Sequence, residues 1–379
     1  MYLLRIGFAW HLFLVVFELP GQTIIDFRRI DQWAINQKLS DTAIVEFTRQ
    51  LIAPAENDFE KMRAIFVFVT RYLKYEDQSS RIETRRINQN ITDILSRKQG
   101  ICWDYAQLIC HMAEIAALPC MSVVGFSQDL NSHREIGEEP DHAWNVVMLQ
   151  NNYYLLDATW ESNTLYADDY LKQEYKVDYF MTDPELFIKN HFPVLDFFQL
   201  LSCPLSFKDF IDQKTSPAAE TPCSFEYGDS IRSYLSHTFL DRKIIEANAA
   251  YHIQPNTKNE SAWGHAIMDK AIDLKEKGDE FFEQGNHTLA KKNYEEAFEY
   301  FSSAENKVAL FPWQSEALAF CHLNYAQILY RINQQSGKNM NPVIDRLRQS
   351  KSILEKLNSR SFSIINALDQ INYQISVLE

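Results

Sequence analysis

Apolar residues recur at helical spacing near the start of the chain, give way to short β-branched runs in the middle, and return to helical spacing towards the C-terminus. Ile44, Phe47, Leu51 and Ile52 share one helix face, with Ser40-Asp41-Thr42 as the start signal and Pro54 as the stop. Asn57-Asp58 caps a second helix whose stripe is Met62, Ile65, Phe66, Val69, Tyr72 and Leu73. The polar, Arg-rich stretch from Glu76 to Asn90 reads as an exposed loop. After Gly100, the residues Cys102, Ala106, Ile109, Ala113 and Ala116 fall on one face of a third helix that Pro119 ends. Cys102 therefore stands at a helix N-terminus, on the side facing the core.

A strand is expected from Cys120 to Phe126, followed by a polar loop from Gln128 to Asp141. Two further strands, His142 to Leu149 and Tyr153 to Thr159, flank the turn-prone Gln150-Asn151-Asn152. A turn centred on Gln150-Asn151 sets Asp157 opposite Trp144 and on the face of His142. Diagonal neighbours on one face are about 7–8 Å apart at the backbone, within reach of an Asp–His contact. Asp157 before Ala158-Thr159 is also a turn-capping position. Helices that precede and feed a short run of strands make an α+β pattern.

From about Ser206 to Glu260 no period is sustained, and this stretch is assigned only as a partly ordered connector. From Ser261 to the end the pattern is helical. Gly278, Phe281, Ala290, Tyr294 and Ala297 occupy the small and aromatic positions of a tetratricopeptide-like repeat. A second unit, at Ala326, Leu329 and the helix Leu347 to Leu357, needs an insertion in the ~34-residue period. The expected organisation is 1–21 as a targeting segment, 22–205 as the α+β domain, 206–262 as the connector and 263–379 as an all-α region.

With 46% hydrophobic and 23% charged residues, the composition is that of a globular protein rather than a disordered or collagenous one. Thirty-seven Lys and Arg against 51 Asp and Glu leave a net charge of −14, which argues against nucleic acid as a partner. The apolar run from Ile6 to Phe17, after Arg5 and before Pro20-Gly21, resembles a secretory signal peptide and is too short for a stable membrane span. Export to the outside or the periplasm is the expectation, with a cytoplasmic protein as the alternative. The six cysteines include no CxxC pair, and the histidines form no HExxH, so no metal and no cofactor are expected. Cys203 and Cys223 are the pair expected to bridge if any does.

Cys102, His142 and Asp157 together carry the types that thiol acyl transfer needs. A thiolate attacks, a helix N-terminus favours negative charge on it, His142 moves the proton, and Asp157 holds the imidazole in one tautomer. The backbone N–H of Cys102 is one oxyanion donor. Trp33, Gln99 and Tyr75 are candidates for the second, and Trp103 and Trp144 are candidates to line the cleft.

Gly100-Ile101-Cys102-Trp103, Asp141-His142-Ala143-Trp144-Asn145 and Leu156-Asp157-Ala158-Thr159-Trp160 resemble the three core motifs of the transglutaminase-like superfamily. Pro54 to Tyr75, Tyr179-Phe180-Met181-Thr182-Asp183-Pro184 and His191-Phe192-Pro193 are similar to the branch that contains the kyphoscoliosis peptidase. The resemblance covers about 40–205. It implies a papain-related α+β core and assigns nucleophile, base and orienting acid to Cys102, His142 and Asp157. It further implies hydrolysis or acyl transfer at a peptide or amide bond of a protein substrate. The alternative is a noncatalytic peptide-binding scaffold, with the helical tail as a partner surface in either case.

Overall fold

Three helices, α1 (Arg28–Ile35), α2 (Ile44–Ile52) and α3 (Asp58–Tyr72), come first among the described residues of a computed structural model. It describes residues 26–39, 43–76, 90–128, 136–164, 179–214, 223–358 and 361–379. The targeting segment at 1–21, the helix start at 40–42, and residues 77–89 and 129–135 of the two expected loops lie outside the described residues. Asn57 caps α3 by accepting from the Glu60 N–H at 3.0 Å. Every residue from Met62 to Thr70 is buried, so α3 is the central helix rather than a surface one. Arg63 in its middle is held by Asp31 of α1 in a bidentate pair at 2.6 and 2.8 Å, which satisfies a charge that burial would otherwise penalise.

The two-residue strand β1 (Lys74–Tyr75) runs parallel to β2 (Gln99–Gly100), with α4 (Ile91–Arg97) between them. The helix α5 (Cys102–Ile115) follows directly and leads into β3 (Cys120–Ser127), β4 (His142–Leu149) and β5 (Asn152–Leu156). Gln150 and Asn151 at the β4–β5 turn have φ of 49° and 64°, the backbone a two-residue hairpin turn demands. This turn sets the expected register, with Asn145 opposite Leu156. The strand expected to run to Thr159 instead stops at Leu156, and α6 (Ala158–Thr164) begins. Asp157 causes the change: its Oδ1 accepts from the N–H groups of Thr159 and Trp160 at 2.8 and 3.1 Å and caps the new helix.

The chain continues through β6 (Phe180–Thr182), α7 (Pro184–Phe187), β7 (His191–Pro193) and a 3₁₀ turn, Asp196–Gln199. Five strands form an antiparallel sheet in the order β6-β5-β4-β3-β7. Val147, Leu149 and Leu156 join α3 and α5 in one core, while Val123, Trp144, Val146 and Leu155 join a second core on the other face. Burial on both faces explains why β4 reads as a nearly continuous apolar run.

That second core draws in the stretch expected to be a connector. It contains α8 (Phe207–Ile211), α9 (Tyr227–Leu235) and α10 (Phe239–Ile253), and Phe210, Ile231, Tyr234 and Ala250 are buried against the sheet side. Cys203 and Cys223 are bridged, with Cα atoms 5.3 Å apart. The remainder is helical: α11 (Thr257–Glu283), α12 (His287–Glu305), α13 (Pro312–Ser336), α14 (Asn341–Lys356) and α15 (Phe362–Leu378). The boundary expected at 263 falls inside α11, whose start is set by Asn256 accepting from the N–H groups of Lys258 and Asn259. The whole is an α+β core followed by a helical C-terminal region. Among the described residues no helix is long and apolar enough to cross a membrane.

Candidate active site

Cys102 is the first residue of α5, and local bonds define that start. Asp104 Oδ2 accepts from the Ile101 N–H at 2.9 Å, and the Ile101 carbonyl accepts from the Asp104 N–H at 2.8 Å. Gly100 permits this turn, because a Cβ there would lie 2.6 Å from the Asp104 Cβ. Cys102 is 6% exposed and packs with Ala106, Ala143 and Trp103. Its Sγ lies 4.0 Å from the carbonyl oxygen of Asp141, the residue before β4.

His142 opens β4, and its Nε2 is 2.8 Å from Asp157 Oδ2. With Nε2 committed to the carboxylate, Nδ1 is the nitrogen left for Cys102. The same Oδ2 is 2.9 Å from Nε2 of His191 on β7. Asp157 thus divides its oxygens, one capping α6 and the other taking two histidines. Trp160 stands beside both rings, with centroid separations of 5.6 Å to His142 and 4.5 Å to His191.

Burial alone would strip the proton from His142, but the Asp157 charge, its hydrogen bond and the neighbouring Cys102 thiol outweigh it, raising His142 to about 10. Burial alone would raise Asp157, yet the His142 charge and the bonds from both histidines hold it below the ordinary carboxylate range. For His191 burial prevails: despite the bond to Asp157, and with the His142 charge opposing a second cation, it is pushed down to about 4. The site at neutral pH therefore contains one imidazolium, one carboxylate and one neutral imidazole.

His142, Asp157 and His191 each offer a ligand atom, all within 4.8 Å of one another, and they are the group able to hold a metal ion among the described residues. At 2.8 and 2.9 Å the two contacts are hydrogen bonds that already use these atoms on one another.

Of the donors considered from sequence, Trp33 is engaged elsewhere: its indole N–H donates to the Leu51 carbonyl at 2.8 Å and ties α1 to α2. Gln99 and Tyr75 are exposed residues of the β1–β2 pair, whose second strand ends two residues before Cys102. Trp103 flanks the thiol, and Trp144 is buried with its ring 5.9 Å from that of His142. Sequence reasoning did not single out His191, Trp160 or Asn145, although all three lie in the segments that carry the resemblance. Asn145 is buried, and its Nδ2 donates to the Ala106 carbonyl at 3.0 Å, fixing α5 against β4 one turn below Cys102.

Residues 45–158 match the family model described as the Transglutaminase-like superfamily, a span that includes Cys102, His142 and Asp157. Kyphoscoliosis peptidase of Homo sapiens is 32% identical over 190 residues, covering 48% of this chain and 28% of that protein. Hillarin of Drosophila melanogaster is 24% identical over 201 residues, covering 49% of this chain and 24% of that protein. A solved TGase is 13% identical and covers 40% of this chain and 35% of its own, with a TM-score of 0.25. The chain spans under a third of the length of these curated relatives.

Proposed function

We propose that this protein is a cysteine enzyme that acts on peptide or amide bonds of protein substrates, using Cys102, His142 and Asp157. The observation that carries the reading is the His142–Asp157 pair at 2.8 Å beside a cysteine at a helix N-terminus. Cys102 Sγ attacks the substrate carbonyl carbon, and negative charge gathers on the carbonyl oxygen. The C–N bond then breaks, His142 Nδ1 gives its proton to the departing amine, and a thioester remains on Cys102. Water or a second amine, deprotonated by His142, attacks the thioester and releases an acid or a new amide. Asp157 keeps the ring turned and offsets its charge throughout.

The helices from α11 onward are read as a tetratricopeptide-like surface for a protein partner. Support comes from Gly278, where a Cβ would lie 2.6 Å from the Tyr294 ring, so the helix pair requires a small residue facing an aromatic one. A noncatalytic scaffold is the competing reading, and the low exposure of Cys102 favours it.

Alkylation by iodoacetamide, followed per cysteine by mass spectrometry across pH, tests the choice. Cys110→Ser should be used as the background, because the Cys110 thiol also has stabilising neighbours. Fast modification of Cys102 at neutral pH that His142→Ala slows is expected. Peptide cleavage and amine incorporation should then be scored side by side, with Cys102→Ala as the control. A Cys102 that reacts no faster than a free thiol, together with no turnover in either assay, decides for the scaffold.

A further inference from the structure

Cys110 and Cys120 form a second sulfur site, eight residues and more along the chain from Cys102 and in contact with Asn145. Their Sγ atoms are 3.0 Å apart, one on α5 and the other at the first position of β3. Asn145 Nδ2 lies 3.3 Å from the Cys110 sulfur and 3.7 Å from that of Cys120, and Ser122 Oγ is 3.5 Å from Cys110. Both thiols are half-buried, at the wall of a cavity of about 470 Å³ that His111, Glu114 and Leu118 also line. We infer that Cys110 and Cys120 are a reversible dithiol–disulfide pair, oxidised by low-molecular-weight disulfides that enter this cavity.

The two sulfurs are already in van der Waals contact or closer. A disulfide has sulfurs about 2.05 Å apart, so closing the pair takes a movement of about 1 Å. The two thiols are also unequal. The sulfur–sulfur hydrogen bond, with those of Ser122 and Asn145, outweighs burial and lowers Cys110, whereas burial pushes Cys120 well up. Cys110 is thus the attacking sulfur and Cys120 the resolving one.

The exchange balances in two steps. The Cys110 thiolate attacks one sulfur of the small disulfide, forming a mixed disulfide and expelling a thiolate. Cys120 loses its proton to that thiolate and attacks the Cys110 sulfur, expelling a second small thiolate that takes up the proton Cys110 had released to solvent. The protein loses two hydrogens and two thiols appear in solution. The new bond staples α5 to β3 at the level of Asn145. It does not depend on the chemistry proposed for Cys102.

Trypsin would release Cys102, Cys110 and Cys120 together, between the cleavage sites after Lys98 and Arg134. The full-length protein is incubated with glutathione disulfide, denatured in iodoacetamide and digested. The expected peptide lacks the mass of two hydrogens at Cys110 and Cys120, and its one remaining cysteine, Cys102, carries either an alkyl group or a glutathione. Prior reduction should give three alkyl groups. Cys110→Ser and Cys120→Ser should each abolish the loss of two hydrogens. Three alkyl groups without reductant, a bond that includes Cys102, or a lasting glutathione adduct on Cys110 beside an alkylated Cys120 would overturn the assignment.

Discussion

His142 and His191 converge on a single atom, Asp157 Oδ2, at 2.8 and 2.9 Å, with their ring centroids 5.2 Å apart. One carboxylate offsets one cation, so the two rings divide: His142 is raised to about 10 and His191 pushed down to about 4. Deeper burial among Trp160, Phe187 and Tyr179 leaves His191 as the neutral member. Their pKa shifts have opposite signs and predict opposite limbs of the stability profile.

On the acid side, unfolded His191 takes a proton near its ordinary value of 6.5 and folded His191 only near 4. The unfolded chain therefore binds more protons in this window, and stability falls as pH falls through it, by about 3 kcal/mol. His191→Gln should remove this limb while costing about 1–3 kcal/mol at neutral pH through lost packing and a weaker bond to Asp157. Urea denaturation of both proteins between pH 4 and 7 measures it. An unchanged acid limb in the variant would refute the assignment of His191 as the neutral ring.

On the alkaline side, folded His142 keeps its proton up to about 10, whereas unfolded His142 loses it near 6.5. Its contribution is complete below 6.5 and lost as pH rises towards 10. Asp157→Asn removes the charge that sustains this shift, so the alkaline limb should flatten. Removing one partner of a buried pair costs about 3–5 kcal/mol, and the Asn side-chain oxygen can still cap α6 and moderate the loss. NMR titration of the His142 ring should show its transition moved down by several units in the variant. A ring still protonated at pH 9 would mean that Asp157 is not the source.

Gly100→Ala tests the local frame of Cys102. The new Cβ meets the Asp104 Cβ at 2.6 Å, and a buried side chain on the same turn cannot swing away. The expected cost is about 1–3 kcal/mol, with loss of the Asp104 cap on the Ile101 N–H. Thermal melting should show the destabilisation, and iodoacetamide should modify Cys102 more slowly than in the parent. Parental stability with unchanged reactivity would show that the turn tolerates a side chain.

Asn259→Ala tests how the helical region supports the loop that leads into His142. Asn259 is buried at the start of α11, and its Nδ2 donates to the carbonyls of Glu138 and Gln254 at 3.0 and 2.9 Å. Asn256 adds a bond to the Glu138 carbonyl at 2.9 Å. Asn256 also reaches the Gln254 carbonyl at 3.0 Å, so losing Asn259 leaves each carbonyl with one donor instead of two, a cost of about 1 kcal/mol. Hydrogen exchange should rise at 136–141 and stay unchanged in α12 to α15. Uniform exchange throughout the chain would place the effect elsewhere.

Much of the site was readable along the chain because its determinants are local. The Gln150-Asn151 turn fixes the β4–β5 register, the Gly100 to Ala116 pattern sets Cys102 at a helix start, and the helical period from α11 onward needs no distant partner. The strand expected to reach Thr159 ends at Leu156 because Asp157 satisfies two demands at once, a cap for α6 and a partner for His142; each is legible at that position, but alternation does not show that both hold together. The helices α8 to α10 were missed because their apolar residues are scattered. Only packing on the far face of the sheet makes those residues a stripe. His191 is 34 residues from Asp157 and reaches it through the pairing of Ser127 with His191 across β3 and β7. The environment of Cys110 likewise combines Cys120 and Ser122 of β3 with Asn145 of β4. Local sequence determined which backbone turns and periods form. Which buried groups share a proton or a sulfur contact was decided by the sheet, since only strand pairing brings residues so far apart in the chain within hydrogen-bond distance.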